Sequence, residues 1–235
     1  MKAKFNRTAA QSFLSKVLCF LIIITLAVTF VSCEKDSDTK GNSPTTDVGA
    51  IINGIKWATR NVDAPGTFAA NPESAGMFYQ WNRKVGWSNT DPMVNSNGGK
   101  TWDTTTPAGS EWESTNNPCP YGWRVPKFNE IELLLDTTYV INEWTQQGTP
   151  WYNSEPGIRF TDKSNGNSIF LPITYYRSFE KGLLIEPIGW GVYWSGSISG
   201  KDNSFLPWYF GFNSRYTDWS VDKKGTAYSV RCVAE

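Results

Sequence analysis

Apolar and polar positions divide the chain into three zones. Residues 1–16 are polar and basic, and residues 17–31 then run as fifteen mostly apolar positions. A membrane-spanning helix wants roughly 20 apolar residues. A charged start, a short apolar middle and the small Ser32 before Cys33 predict a secretory signal over residues 1–32. Residues 33–50 open with Glu34-Lys35-Asp36-Ser37-Asp38 and continue in Gly, Asn, Ser, Pro and Thr without periodicity. They read as a flexible acidic tether with a reach of about 20–25 Å. Apolar residues return in short runs from residue 51, and residues 51–235 read as one domain.

Within that domain, residues 51–62 predict a hairpin around Asn53-Gly54, a tight-turn pair between apolar runs. Gly76-Met-Phe-Tyr-Gln-Trp81 predicts a strand whose rings are too frequent for clean alternation, so both faces are expected to be covered. Residues 82–118 hold few aliphatics and predict a long irregular loop, punctuated by Trp87, Trp102 and Trp112. Asn117-Pro-Cys-Pro-Tyr-Gly-Trp-Arg-Val-Pro126 excludes a helix and fixes an extended path. Residues 129–135 predict a helix, with Ile131, Leu134 and Leu135 on one face and Asn129 and Glu132 at capping-box spacing. The helical pattern extends through residues 139–144, or a second short helix begins there. A turn-rich run follows at 147–153. Strands are expected at 157–160, 168–176, 191–194, 208–212 and 227–233. Strands, one or two helices, then strands make an α+β class.

Composition narrows the chemistry. The chain has no histidine, which removes His triads, His general bases and His metal ligands. Without the four basic residues before Cys33, 18 basic face 22 acidic residues, which argues against a nucleic-acid partner. Of the four cysteines, Cys19 lies in the signal and Cys33 at its end. Cys119 and Cys232 remain, and we expect a disulfide between them outside the cytoplasm. Two cysteines do not complete a four-ligand zinc site, so no metal, cofactor or catalytic residue is expected.

Three resemblances extend this reading. Phe30-Val31-Ser32-Cys33 resembles the lipobox of bacterial lipoproteins, which implies a lipid anchor on Cys33. The acidic run after it resembles the export tag of surface lipoproteins in Bacteroidetes-type bacteria, which implies the outer membrane, facing the exterior. Six ordered blocks then resemble the domain family called the Fibrobacter succinogenes major paralogous domain. They are Trp57-Ala-Thr-Arg-Asn-Val62, Tyr79-Gln-Trp81, the proline-rich stretch at 117–126, Phe170-Leu-Pro172, Tyr193-Trp-Ser195 and Ser229-Val-Arg-Cys-Val233. The resemblance implies a branch of the C-type-lectin-like superfamily: a mixed fold with one or two helices, short looping strands and a long irregular loop.

The expected function is a cell-surface lipoprotein with a non-catalytic binding or adhesion domain. Its partners would be the outer membrane through the lipid on Cys33, and glycans or surface proteins. Trp87, Trp102 and Trp112 are the candidate ligand-stacking residues. A minor pilus or surface-assembly component is the alternative. A relative of the formylglycine-generating enzymes stands further off, because that chemistry needs a reactive cysteine pair. Asp103-Thr-Thr105 and Asp136-Thr-Thr138 resemble O-glycosylation triplets of Bacteroidetes secreted proteins.

Overall fold

The Asn53-Gly54 pair takes positive φ at both residues, 45° and 80°. That is the geometry of a two-residue hairpin turn. In the computed structural model it joins β1 (Ala50–Ile52) to β2 (Ile55–Asn61), with Ile52 opposite Ile55. The structure describes residues 46–145, 156–187, 189–200 and 205–235. The signal, Cys33, the acidic run and the turn-rich segment at 147–153 lie outside the described residues.

β2 pairs with the last strand, β15 (Arg231–Ala234), which also pairs with β5 (Trp123–Arg124) from the proline-rich stretch. This first sheet has the order β1-β2-β15-β5. The second sheet is built from very short strands: β3 (Phe78–Gln80), β4 (Gly86–Trp87), β9 (Tyr176–Arg177), β10 (Leu184–Ile185) and β14 (Ala227–Tyr228), in the order β10-β9-β14-β3-β4. A third sheet runs β11 (Gly191–Ile198), β12 (Pro207–Phe212) and β13 (Thr217–Val221). The fourth runs β6 (Val140–Thr145), β7 (Gly157–Asp162) and β8 (Ser168–Pro172).

This architecture corrects the α+β expectation, and with it the C-type-lectin-like mixed fold. Among the described residues there are four antiparallel sheets and one α-helix, α1 (Phe128–Leu135), and the fold looks like a β-sandwich. The decisive segment is 139–144. Its apolar residues suit either period, but Val140, Ile141 and Trp144 belong to a strand paired residue by residue with β7, from Val140↔Asp162 to Thr145↔Gly157. β-branched and aromatic side chains favour that pleated surface over another helical turn. The cap of α1 also sits elsewhere. The carboxylate of Glu130, not Glu132, accepts the backbone N–H of Lys127 at 2.7 Å, and the helix begins one residue before Asn129.

The first sheet is buried on both faces, which explains the abundance of rings. On one face Ile52, Trp57 and Val233 pack with Ile131 and Leu134 of α1, Phe160 and Leu171 of the fourth sheet, and Phe210 and Phe212 of the third. On the other, Ala58, Val230 and Cys232 pack with Tyr79, Trp81, Trp194 and Tyr228. Successive strand residues point to opposite faces, so Trp57 and Ala58 serve different cores, as do Cys232 and Val233. The expected disulfide is present: Cys119 and Cys232 are bonded, with Cα atoms 6.2 Å apart and 113 residues of separation. It fastens the proline-rich stretch to β15.

Buried polar groups cross-link these layers. Arg231, 2% exposed, donates to the side chain of Asn61 (2.8 Å) and the carbonyls of Ala58 (3.1 Å) and Phe170 (3.0 Å). Asn61 in turn donates to the hydroxyl of Tyr193, which donates to the carbonyl of Pro172. Burial, only partly offset by Arg231 and Asn61, pushes the Tyr193 phenol up to about 12, so it stays a donor at any physiological pH.

Candidate functional site

The proline-rich stretch positions the first cavity. Gly122 takes φ of 80°, a turn conformation that glycine adopts without strain, and the N–H of Trp123 reaches the carbonyl of Pro120 at 3.0 Å. Asn117 closes the same turn, accepting the N–H of Cys119 (3.1 Å) and donating to the carbonyl of Trp123 (2.7 Å). The chain then enters β5, which buries Trp123 and turns Arg124 toward α1. Arg124 meets Glu130 with both ends of its guanidinium, at 2.8 and 2.5 Å. Burial pushes the Glu130 carboxyl up, but the Arg124 fork, the Lys127 N–H and their charges outweigh it and hold the group below its ordinary value.

Trp112 stands beside this ion pair. Its backbone N–H bonds the carbonyl of Gly196 (3.1 Å), its indole N–H bonds the carbonyl of Asn116 (3.0 Å), and its ring packs edge-on to Trp81 at 5.9 Å. The indole is half-buried and lines a cavity of about 180 Å³ together with Glu111, Arg124, Val125, Lys127 and Glu235. Two carboxylates, two cations and an aromatic face therefore surround a small space. The arrangement can hold a polar ring by stacking and hydrogen bonding.

The other two candidate tryptophans lie elsewhere. Trp87 is 2% exposed in β4, and its ring sits 4.7 Å from that of Trp102. Trp102 is 8% exposed and donates its indole N–H to the carbonyl of Phe179 at 2.8 Å. Both belong to a small core with Phe78 and Ala227. They anchor the long loop onto the second sheet as buried rings, and of the three it is Trp112 that lines the cavity beside Arg124. Trp102 also covers Gly182, where an added Cβ would come within 2.4 Å of the indole.

A larger cleft, of about 600 Å³, was not foreseen from the sequence. Its walls come from five separate segments, and include Glu73, Asn89, Tyr175 and Glu186. No periodicity or spacing connects them. The available signals were weak: the Asn and Glu richness of the turns, and the doubled Tyr175-Tyr176 at a strand end.

The two Asp-Thr-Thr triplets share one geometry. The side chain of Asp103 accepts the N–H of Thr105 at 2.9 Å, and that of Asp136 accepts the N–H of Thr138 at 2.9 Å. All four threonines are exposed. Among the described residues no group of three or more His, Cys, Asp or Glu is placed to hold a metal ion. No helix among them is long and apolar enough to cross a membrane.

No protein-family model, curated protein or solved structure matches the chain.

Proposed function

We propose that the chain is an exported lipoprotein, held at the outer membrane by lipid on Cys33, whose β domain binds glycans by contact without transforming them. The observation that carries this reading is the cavity at Trp112. An indole face, the Arg124 guanidinium held from behind by Glu130, and the Lys127 and Glu111 side chains line a space near the size of one sugar ring. The disulfide supports it twice. It belongs to an oxidising compartment, in keeping with the signal-like leader. It also occupies both cysteines of the domain, leaving no thiol there for formylglycine-type chemistry. The six motif blocks support placing the domain with the paralogous-domain family.

A glycan array probed with the purified chain tests the reading. Trp112→Ala and Lys127→Ala are expected to remove or weaken binding at least tenfold. Lys127 is exposed, so its loss leaves the fold intact even if the indole change does not. Trp87→Ala and Trp102→Ala should instead act through stability, by about 3–5 kcal/mol for a buried ring, and leave the specificity of the folded fraction unchanged. A blank array, or parental binding by both cavity variants, counts against the proposal.

A further inference from the structure

We propose that the cleft framed by Glu73, Asn89, Tyr175 and Glu186 is a second binding site, selective for an uncharged, hydroxyl-rich ligand of about disaccharide size. It rests on the glycan-contact reading and extends it to a place and a charge class. No residue lining it lines the Trp112 cavity. Its volume of about 600 Å³ falls within the range of small-ligand pockets, roughly 300–1,000 Å³.

Three of the lining segments are tied back to the core by buried polar groups. Asn61, 0% exposed, donates its amide to the carbonyls of Ser74 and Ala75, both at 3.1 Å. The hydroxyl of Ser229 adds a bond to the carbonyl of Ala75 at 3.3 Å. Arg177, also 0% exposed, gathers the carbonyls of Ser88 (2.8 Å), Thr90 (2.6 Å) and Gly182 (2.8 Å), which fixes the Asn89-Thr90 rim. The Thr174 hydroxyl holds the opposite wall through the carbonyl of Val192 at 3.3 Å. A rim fixed before the ligand arrives costs less ordering on binding.

The lining chemistry sets the class of ligand. Among the described residues Glu73 and Glu186 line the cleft, and no Lys or Arg does. Arg177 stands behind the rim, enclosed by carbonyls and by Asp91 at 3.2 Å, and shows no charged surface to the cleft. An anion would give up water only to meet two carboxylates without a counter-charge. Hydroxyl groups would donate charge-assisted hydrogen bonds to those same carboxylates. The amide of Asn89 both donates and accepts, which suits a hydroxyl array. Tyr175, 39% exposed, offers a ring face at the rim, and Ile173 supplies an apolar patch.

Hydrogen-exchange mass spectrometry and calorimetry on the full chain in detergent test this, with cellobiose, lactose, digalacturonate and the diamino disaccharide of chitosan as probes. The neutral disaccharides are expected to protect segments 71–75 and 173–175. Tyr175→Ala should weaken them at least tenfold without moving the melting temperature. The double variant Glu73→Gln, Glu186→Gln should admit digalacturonate, which the parent excludes. Trp112→Ala should leave all of this unchanged, so a failure at the Trp112 cavity and a failure here are separable. The proposal is overturned if neither neutral disaccharide protects the cleft, if digalacturonate occupies the parent, or if only the diamino sugar binds.

Discussion

Replacing Cys119 and Cys232 together by alanine is expected to destabilise the domain by about 5 kcal/mol. The bond closes 113 residues, and the loop-entropy relation for a loop of that length gives about 4.8 kcal/mol at 25 °C. For a domain of this size the melting temperature should fall by about 10–20 °C. Alanine is the right substitute because Cys232 is 0% and Cys119 6% exposed, and a serine hydroxyl would be buried. Thermal denaturation followed by circular dichroism, with and without a reductant, checks the claim. Reduced parent and double variant should melt at the same temperature, since both lose the same constraint on the unfolded chain. A shift below about 2 °C in both would show that the proline-rich stretch and β15 hold together without the bond.

Arg231→Met should destabilise by about 3–5 kcal/mol. Methionine keeps the volume but leaves the side chain of Asn61 and the carbonyls of Ala58 and Phe170 without the guanidinium donors they now have. Each buried acceptor left unsatisfied costs about 1–3 kcal/mol, partly offset because an always-charged group no longer has to be buried. Arg231→Lys should lose nearly as much, because a single ammonium cannot reach three acceptors spread in the plane of the fork. Urea denaturation reads the effect as a lower midpoint with an unchanged slope. The loss also bears on function. Arg231 orients the Asn61 amide, and the other end of that amide holds the Ser74–Ala75 wall of the larger cleft.

The contrast between what the sequence predicted and what it concealed has physical causes. The Asn53-Gly54 hairpin was legible because two residues dictate the turn. The disulfide was legible because only two cysteines remained in the domain. The helix at 128–135 followed from i, i+3, i+4 apolar positions, with its cap at Lys127, two residues before the expected Asn129. β6 was misread because its apolar residues satisfy both periods and only the pairing with β7 decides between them. β13 was missed because its alternation, Trp219 and Val221 spaced by Asp218 and Ser220, runs for only five residues at a sheet edge. Strands of two residues, such as β4, β5 and β9, are too short for any period to register, and together they replaced the mixed fold with stacked antiparallel sheets. The candidate tryptophans show the same limit. An indole in a polar loop reads alike whether it anchors the loop, as Trp87 and Trp102 do, or lines a cavity, as Trp112 does. The larger cleft, assembled from five segments spread along the chain, leaves no linear trace.

Titration of the purified chain with the strongest glycan from the array, in a calorimeter, followed by mass spectrometry of the recovered glycan, bears most directly on the claim that this domain works by contact alone. The expected result is a saturable isotherm with the glycan returned at its original mass. Heat that continues after saturation, with a glycan of altered mass, would contradict it.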